Sequence, residues 1–311
     1  MKLGMVFPGQ GSQFVGMLAG YGDTRVIRDT LAEASDILKQ DVGKLMAEGP
    51  AEELDSTVNT QPVMVTAGIC AWRLWRELSG AEPVLVAGHS LGEYTALVAA
   101  DAISFADCLP LARLRAGAMQ EAVPQGQGAM AAILGLDDEA VRAACAEAAG
   151  SEVCEAVNFN APSQVVIAGH AAAVKRAMEA AKARGAKRAL PLRVSAPFHS
   201  SLMKPAAARL REALSRIAVK APRIPVVHNV DAKTRDTPEG IREALVMQAD
   251  HPVLWVQCIK EMAARGVTHV FECGPGKVLA PLTKRIADGL QGSALADRPA
   301  LESGVQASKG N

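Results

Sequence analysis

Ser90 stands at the centre of Gly88-His89-Ser90-Leu91-Gly92, between the apolar run 83–87 and a helix-forming run over 93–100. A strand, a Gly-x-Ser-x-Gly turn and a helix together make a nucleophile elbow. Such a turn exposes the serine hydroxyl to substrate, and its glycines let it close without Cβ clashes. The start of the helix adds unbonded N–H groups and the positive end of a dipole beside the reacting carbonyl. The bare pentapeptide recurs by chance in many proteins. Its strand-to-helix setting favours nucleophilic catalysis over a strand–loop–helix that merely buries a serine.

A serine hydroxyl is a poor nucleophile at neutral pH and needs an imidazole within hydrogen-bond reach. Six histidines are available. His89 adjoins Ser90, but successive side chains at an elbow point apart. His170, His228, His251 and His269 lie in plain structural contexts. His199 differs: it lies in Ser195-Ala196-Pro197-Phe198-His199-Ser200, a loop where the chain re-enters its main domain, with Pro197 restricting the backbone. Its order after the serine and its place at this junction make it the expected base.

These side chains need a frame. Residues 3–7 read as a short buried strand, followed by the loop Pro8-Gly9-Gln10-Gly11-Ser12-Gln13. Helical periodicity covers 26–39, 61–78 and 105–119, and a second strand ends at Ser90. This alternation predicts a largely parallel α/β sheet. Between 126 and 194 the order becomes strand 129–134, helix 137–148, strands 153–158 and 164–168, helix 171–184 and strand 186–191. That β-α-β-β-α-β order is the ferredoxin-like unit. The expectation is a large catalytic domain from 1–125 and 195–290 with a small domain, 126–194, inserted in it. Helices at 202–217, around 240–248 and at 252–265 follow, then a strand at 267–272 leading into Gly274-Pro275-Gly276. Residues 291–311 are polar, rich in small residues and aperiodic, and read as a disordered tail.

The 311 residues suffice for one large domain or two smaller ones. An apolar fraction of 49% supports a sizeable core, and 4% aromatics make that core aliphatic. Thirty-three basic residues balance 33 acidic ones, so neither nucleic acid nor an anionic membrane is implied as a partner. The six cysteines form no C-x-x-C pair, which argues against a zinc or redox site. No metal-ligand spacing, phosphate loop or dinucleotide fingerprint occurs, and Gly9-Gln10-Gly11 lacks the third glycine, so no cofactor is expected. Nothing resembles a signal peptide or a membrane span, and the expected setting is the cytoplasm.

Four blocks together resemble the malonyl-CoA:acyl carrier protein transacylase family of fatty acid synthesis. They are Phe7-Pro8-Gly9-Gln10-Gly11-Ser12-Gln13, Gly88-His89-Ser90-Leu91-Gly92-Glu93-Tyr94, Asn158-Phe159-Asn160-Ala161-Pro162 with Val165-Val166-Ile167-Ala168-Gly169, and Ala196-Pro197-Phe198-His199-Ser200. The resemblance runs to about residue 288 and implies an α/β-hydrolase-like large domain carrying a ferredoxin-like small one. It implies ping-pong transfer of malonyl from malonyl-CoA to the phosphopantetheine thiol of acyl carrier protein, through a malonyl-serine ester. A monomer is expected.

Residue by residue, the resemblance makes Ser90 the nucleophile and His199 the general acid/base. The backbone N–H groups of Gln10 and Leu91 become the oxyanion hole. The main-chain carbonyl of Gln248 orients the histidine in place of a carboxylate. Arg115, Gln10 and Asn160 become substrate-binding residues. A guanidinium can hold the malonyl carboxylate by two parallel hydrogen bonds. Arg113 and Arg115 lie two residues apart on one helix and face different ways. Residue physics does not choose between them, and the family spacing selects Arg115. Gly274, Pro275 and Gly276 are expected to shape the cleft, and Lys182, Arg184, Lys187 and Arg188 to receive an acidic carrier.

Three other classes compete. One is a serine esterase or thioesterase on the same elbow, which has no need of Arg115. Another is an acyltransferase of a polyketide or malonate decarboxylase system, which shares all these residues. The third is a non-catalytic carrier-docking subunit, against which Ser90, His199 and Arg115 argue.

Overall fold

In chain order the strands are β1 (Leu3–Phe7), β2 (Leu85–Gly88), β3 (Gly128–Leu134), β4 (Cys154–Ala161), β5 (Gln164–His170), β6 (Arg188–Pro191), β7 (Val226–Val227), β8 (His269–Glu272) and β9 (Gln291–Ala294). They come from a computed structural model that describes residues 1–310. One sheet has the order β7-β2-β1-β8-β9, with every neighbouring pair parallel. Strands of such a sheet are covered on both faces and read as unbroken apolar runs. In β1, Met5 and Phe7 join the core on one face, with the helices Thr57–Glu77, Gly92–Ala99 and Phe105–Glu121. Val6 points to the other face, against the helices Trp255–Ala264 and Ala280–Ile286.

The second sheet has the order β4-β5-β3-β6 and is antiparallel throughout. Helices Asp138–Ala149 and Ala171–Ala183 cover it, and an aliphatic core of its own includes Ile133, Val141, Ile167 and Val174. The element order is β-α-β-β-α-β. Two backbone hydrogen bonds lace this unit to the large one: Phe159 N–H donates to Val253 O at 3.0 Å, and Val253 N–H donates to Val157 O at 2.8 Å.

The carboxyl ends of β1, β2, β7 and β8 all lie on one edge of the parallel sheet. The loops leaving them carry Gln10, Ser90, Asn229 and Gly274. Ligand sites of open α/β sheets form at this edge because the loops diverge there.

Three expectations need correction. The segment 291–311 is not a disordered tail over its described length: β9 pairs in parallel with β8, and Arg298–Lys309 is a helix. Leu295, Leu301 and Val305 are buried, and Tyr21 Oη–H donates to Leu295 O at 2.6 Å. Asp297 caps the helix by accepting from Ala300 N–H, with a proline in the first turn. Burying each such aliphatic side chain contributes about 1.5–3 kcal/mol, which polar composition does not reveal. The helix expected at 252–265 starts only at Trp255, because Val253 bridges in parallel to Asn158 of β4. The helix expected at 61–78 starts at Thr57, with Pro62 inside its early turns. No helix among the described residues is long and apolar enough to cross a membrane.

Candidate active site

The turn after β2 holds Ser90 at φ +52°, in the left-handed region that a non-glycine residue enters at a cost of about 1–3 kcal/mol. The surroundings enforce that conformation. A Cβ on Gly88 would lie 1.8 Å from the Gly92 carbonyl carbon, and one on Gly92 would lie 2.1 Å from Phe7 O. Asn229 accepts from Ser90 N–H with Oδ1 at 2.7 Å and donates from Nδ2 to Gly88 O at 2.8 Å. Gln248 Nε2 donates to Ser90 O at 2.8 Å. The hydroxyl is thereby left free to face a cavity.

Ser90 Oγ lies 2.6 Å from His199 Nε2, and His199 Nδ1 lies 2.8 Å from Gln248 O. A carbonyl oxygen only accepts, so Nδ1 carries the proton and Nε2 presents a lone pair to the serine hydroxyl. This is the tautomer a general base needs, fixed by a main-chain carbonyl rather than a carboxylate. His199 is buried, and burial, aided by the nearby Arg115 charge, pushes its pKa down to about 3. The imidazole is therefore neutral at ordinary pH.

Arg115 comes from the helix Phe105–Glu121 and is 2% exposed. Its Nη1 donates to Gln61 Oε1 at 2.9 Å, while Nη2 donates to Gln248 Oε1 at 3.0 Å and to Ser90 Oγ at 3.2 Å. The Tyr94 ring lies 5.3 Å from the guanidinium carbon. All its hydrogen-bond acceptors are neutral, and among the described residues no carboxylate forms an ion pair with it. A buried guanidinium so held keeps its attraction for an anion, and the low local dielectric strengthens that attraction. Arg113 faces elsewhere, donating to Leu38 O at 2.9 Å and to Gln40 Oε1, and so has a structural task.

The cavity has a volume of about 190 Å³. Gln10, Gln61, His89, Ser90, Leu91, Arg115 and His199 line one side. Met130, Asn158, Asn160, Val166 and Leu192 from the smaller sheet and its margin roof the other. Asn160 Oδ1 accepts from His89 Nε2 at 2.7 Å, which turns His89 away from Ser90. The N–H groups of Gln10 and Leu91 have no acceptor among the described residues, so both can donate into the cavity. A larger cavity of about 600 Å³, lined by Trp72, Asp101, Phe105 and Lys220, contains none of these groups. No cluster of three or more His, Cys, Asp or Glu among the described residues could hold a metal.

Residues outside the sequence reading complete the site. Glu93, fully buried, accepts from His228 Nδ1 at 2.7 Å, from Asn229 N–H at 2.9 Å and from Gln248 Nε2 at 3.0 Å. His228 therefore does not sit in a plain context but under the Ser90 turn. The side chain of Gln248, and not only its carbonyl, bridges Glu93, Ser90 and Arg115. A glutamate in the first turn of an apolar helix was the one signal available for Glu93; Asn229 and Gln61 gave none. One further placement differs from expectation. Gly274 and Gly276 do not line the cavity but pack behind the first loop, against Pro8 and Ser12. Lys182 and Arg184 form exposed ion pairs with Glu179 and Glu147.

The chain is also similar to known proteins along nearly its whole length. A family model described as an acyl transferase domain matches residues 5–294. The chain is similar to the malonyl CoA-acyl carrier protein transacylase of Escherichia coli strain K12, at 52% identity over 98% of this chain and 99% of that protein. It is also similar to the crystal structure of an acyl-carrier-protein S-malonyltransferase from Burkholderia pseudomallei 1710b. That match has 61% identity and a TM-score of 0.97, and covers 98% of this chain and 100% of the other. A malonyl-transacylase solved in complex with a type II polyketide acyl carrier protein matches at 49% identity and TM-score 0.97, over 99% of this chain and 100% of that one.

Proposed function

The chain belongs to the acyl transferase domain family, and from that premise we propose that it transfers malonyl from malonyl-CoA to the phosphopantetheine thiol of an acyl carrier protein, through an ester on Ser90. One observation carries the residue-level reading: the Ser90 hydroxyl lies between the bare Nε2 of a neutral imidazole and the guanidinium of Arg115.

His199 takes the Ser90 proton as Oγ attacks the thioester carbonyl. The oxyanion forms against the N–H groups of Gln10 and Leu91, where each donor stabilises charge present only in the tetrahedral intermediate, by roughly 3–4 kcal/mol. The intermediate collapses, the C–S bond breaks, and the CoA sulfur leaves with the proton from His199. The malonyl ester stays on Ser90 with its carboxylate held by Arg115. A carrier thiol then attacks the ester, giving its proton to His199, and Ser90 Oγ leaves with that proton. Gln248 keeps the imidazole oriented throughout, and Asn160 holds His89 out of the way.

In this reading residues 126–194 act as a small domain that roofs the site built by 1–125 and 195–290, and limits attack of water on the ester. Lys187 and Arg188, which have no ion pair among the described residues, serve as cations for an acidic carrier. All site residues come from one chain, so a monomer suffices. The six cysteines are free and buried, which supports a reducing, cytoplasmic setting. The type II polyketide complex favours a second reading in which the carrier serves polyketide rather than fatty acid synthesis.

The test is intact-mass analysis after mixing the protein with malonyl-CoA, acetyl-CoA and methylmalonyl-CoA in competition. One malonyl adduct per chain, discharged by holo-carrier, is expected. Release of free malonate without an adduct passing to carrier would make the protein a thioesterase instead.

A further inference from the structure

His199 occupies a conformation that a bulky side chain rarely adopts, with φ at +64°. Inside its own loop the supports are few: Ser200 Oγ–H donates to Pro197 O at 2.7 Å, and Phe198 N–H to Ala196 O at 3.0 Å. The large unit adds Thr57 Oγ1, 2.8 Å from Ser195 Oγ at the loop's entry, and Gln248 O, which accepts from His199 Nδ1 at 2.8 Å; the loop's exit is held from the other sheet. Glu155, on β4, accepts from Ser201 N–H with one carboxylate oxygen at 2.8 Å and from Ser201 Oγ–H with the other, also at 2.8 Å. Ser201 follows His199 by two residues, so the carboxylate anchors the exit of the strained turn at two points.

The same strand also holds the partner of the imidazole. Val157 and Phe159 bond to Val253, just beyond the helix that ends after Gln248. A single strand of the smaller unit thus fixes both the loop carrying His199 and the segment carrying the carbonyl that orients it.

We propose that Glu155 is a positioning residue for the base: its two hydrogen bonds to Ser201 hold the left-handed turn that aims His199 Nε2 at Ser90 Oγ. Glu155 lies outside the catalytic cavity and touches no reacting atom. It acts through His199 and rests on the reading of His199 as the general base. A carboxylate suits this task because a charged acceptor gives shorter and stronger hydrogen bonds than a neutral one. Strained backbone at a functional site persists only when its surroundings over-determine it.

The test uses the full chain and single-turnover acylation by malonyl-CoA. Glu155→Ala is expected to slow acylation roughly 10- to 100-fold, as a misplacement of about 1 Å does. The KM for malonyl-CoA should change little, because Arg115, Gln61 and Gln248 are untouched. Glu155→Gln keeps an acceptor oxygen for Ser201 N–H and should recover most of the rate. Ser201→Ala, which removes only one of the two bonds, should fall between. In a His199→Ala background, Glu155→Ala should add no further loss. A parental rate in Glu155→Ala would overturn the proposal, as would a full extra loss on top of His199→Ala or a Gln variant no better than Ala. Should His199→Ala itself acylate normally, the assignment of the base fails instead, and the two failures are told apart by that one control.

Discussion

Arg115 Nη2 donates to Ser90 Oγ at 3.2 Å, so the cation and the nucleophile share one hydrogen bond. In a malonyl group the carboxylate is one methylene away from the carbonyl that Ser90 attacks in the proposed reaction. A guanidinium in contact with Oγ is therefore within reach of that carboxylate once the ester forms, and too close for a long acyl chain to ignore. Gln61 and Gln248 hold the guanidinium with neutral amide oxygens, which orient it without cancelling its charge.

Replacing Arg115 should change acyl preference rather than merely slow the enzyme. Charge-assisted hydrogen bonds contribute about 1.5–3 kcal/mol, so malonyl loading of Arg115→Ala should fall roughly 10- to 100-fold relative to acetyl loading. Arg115→Lys keeps the charge but not the planar fork, and should regain only part of the preference. Competition between the two thioesters, read by intact mass, gives the ratio; an unchanged ratio takes Arg115 out of the acyl pocket.

Ser90→Ala removes the oxygen that contacts both His199 Nε2 and Arg115 Nη2. Radiolabelled malonyl-CoA should then leave no covalent label on the chain. Label persisting on another residue would mean that the nucleophile lies elsewhere.

The low pKa of His199 sets two expectations for pH. With the imidazole neutral down to about pH 3, acylation should not halve near 6.5, where an unperturbed histidine titrates; kcat/KM should stay level to about pH 5. Stability follows the same shift. Below 6.5 the unfolded chain binds a proton at this residue that the folded chain refuses until about 3, so acidification across that window favours unfolding. His199→Gln removes this difference. Urea midpoints should fall less between neutral pH and about pH 4.5 in the variant than in the parent, and parallel curves would place the histidine pKa near its ordinary value.

Leu301 lies in the last helix, far along the chain from every catalytic group, and is fully buried. Leu301→Ala should cost about 2–5 kcal/mol in urea unfolding while leaving the acylation rate of the folded protein intact. A change below about 0.5 kcal/mol, as at a surface site, would mean that this helix is not docked.

Much of the architecture was legible in the sequence, because its signals are local. The period of apolar residues separates helix from strand, and the order β-α-β-β-α-β is read one element at a time. The elbow needs only five consecutive residues, and His199 stood out by its junction loop. Arg115 could be told from Arg113 only through the family resemblance, since two arginines on one helix offer the same chemistry. The last segment is not legible in this way, for a related reason. Gln291-Gly292-Ser293-Ala294 has the composition of a loose tail, yet parallel pairing with β8 is made by backbone groups that every residue carries.

Residue types and their near spacing thus determined most of the elements, the Ser90 elbow and the choice of His199 as its candidate partner. Tertiary structure alone decided what surrounds them. Gln248 Nε2 reaches Ser90 O across 158 residues of sequence, and Glu93 meets His228 across 135. No local pattern encodes such partners, because buried polar groups satisfy one another wherever packing brings them together, and that depends on how the sheets and helices stack.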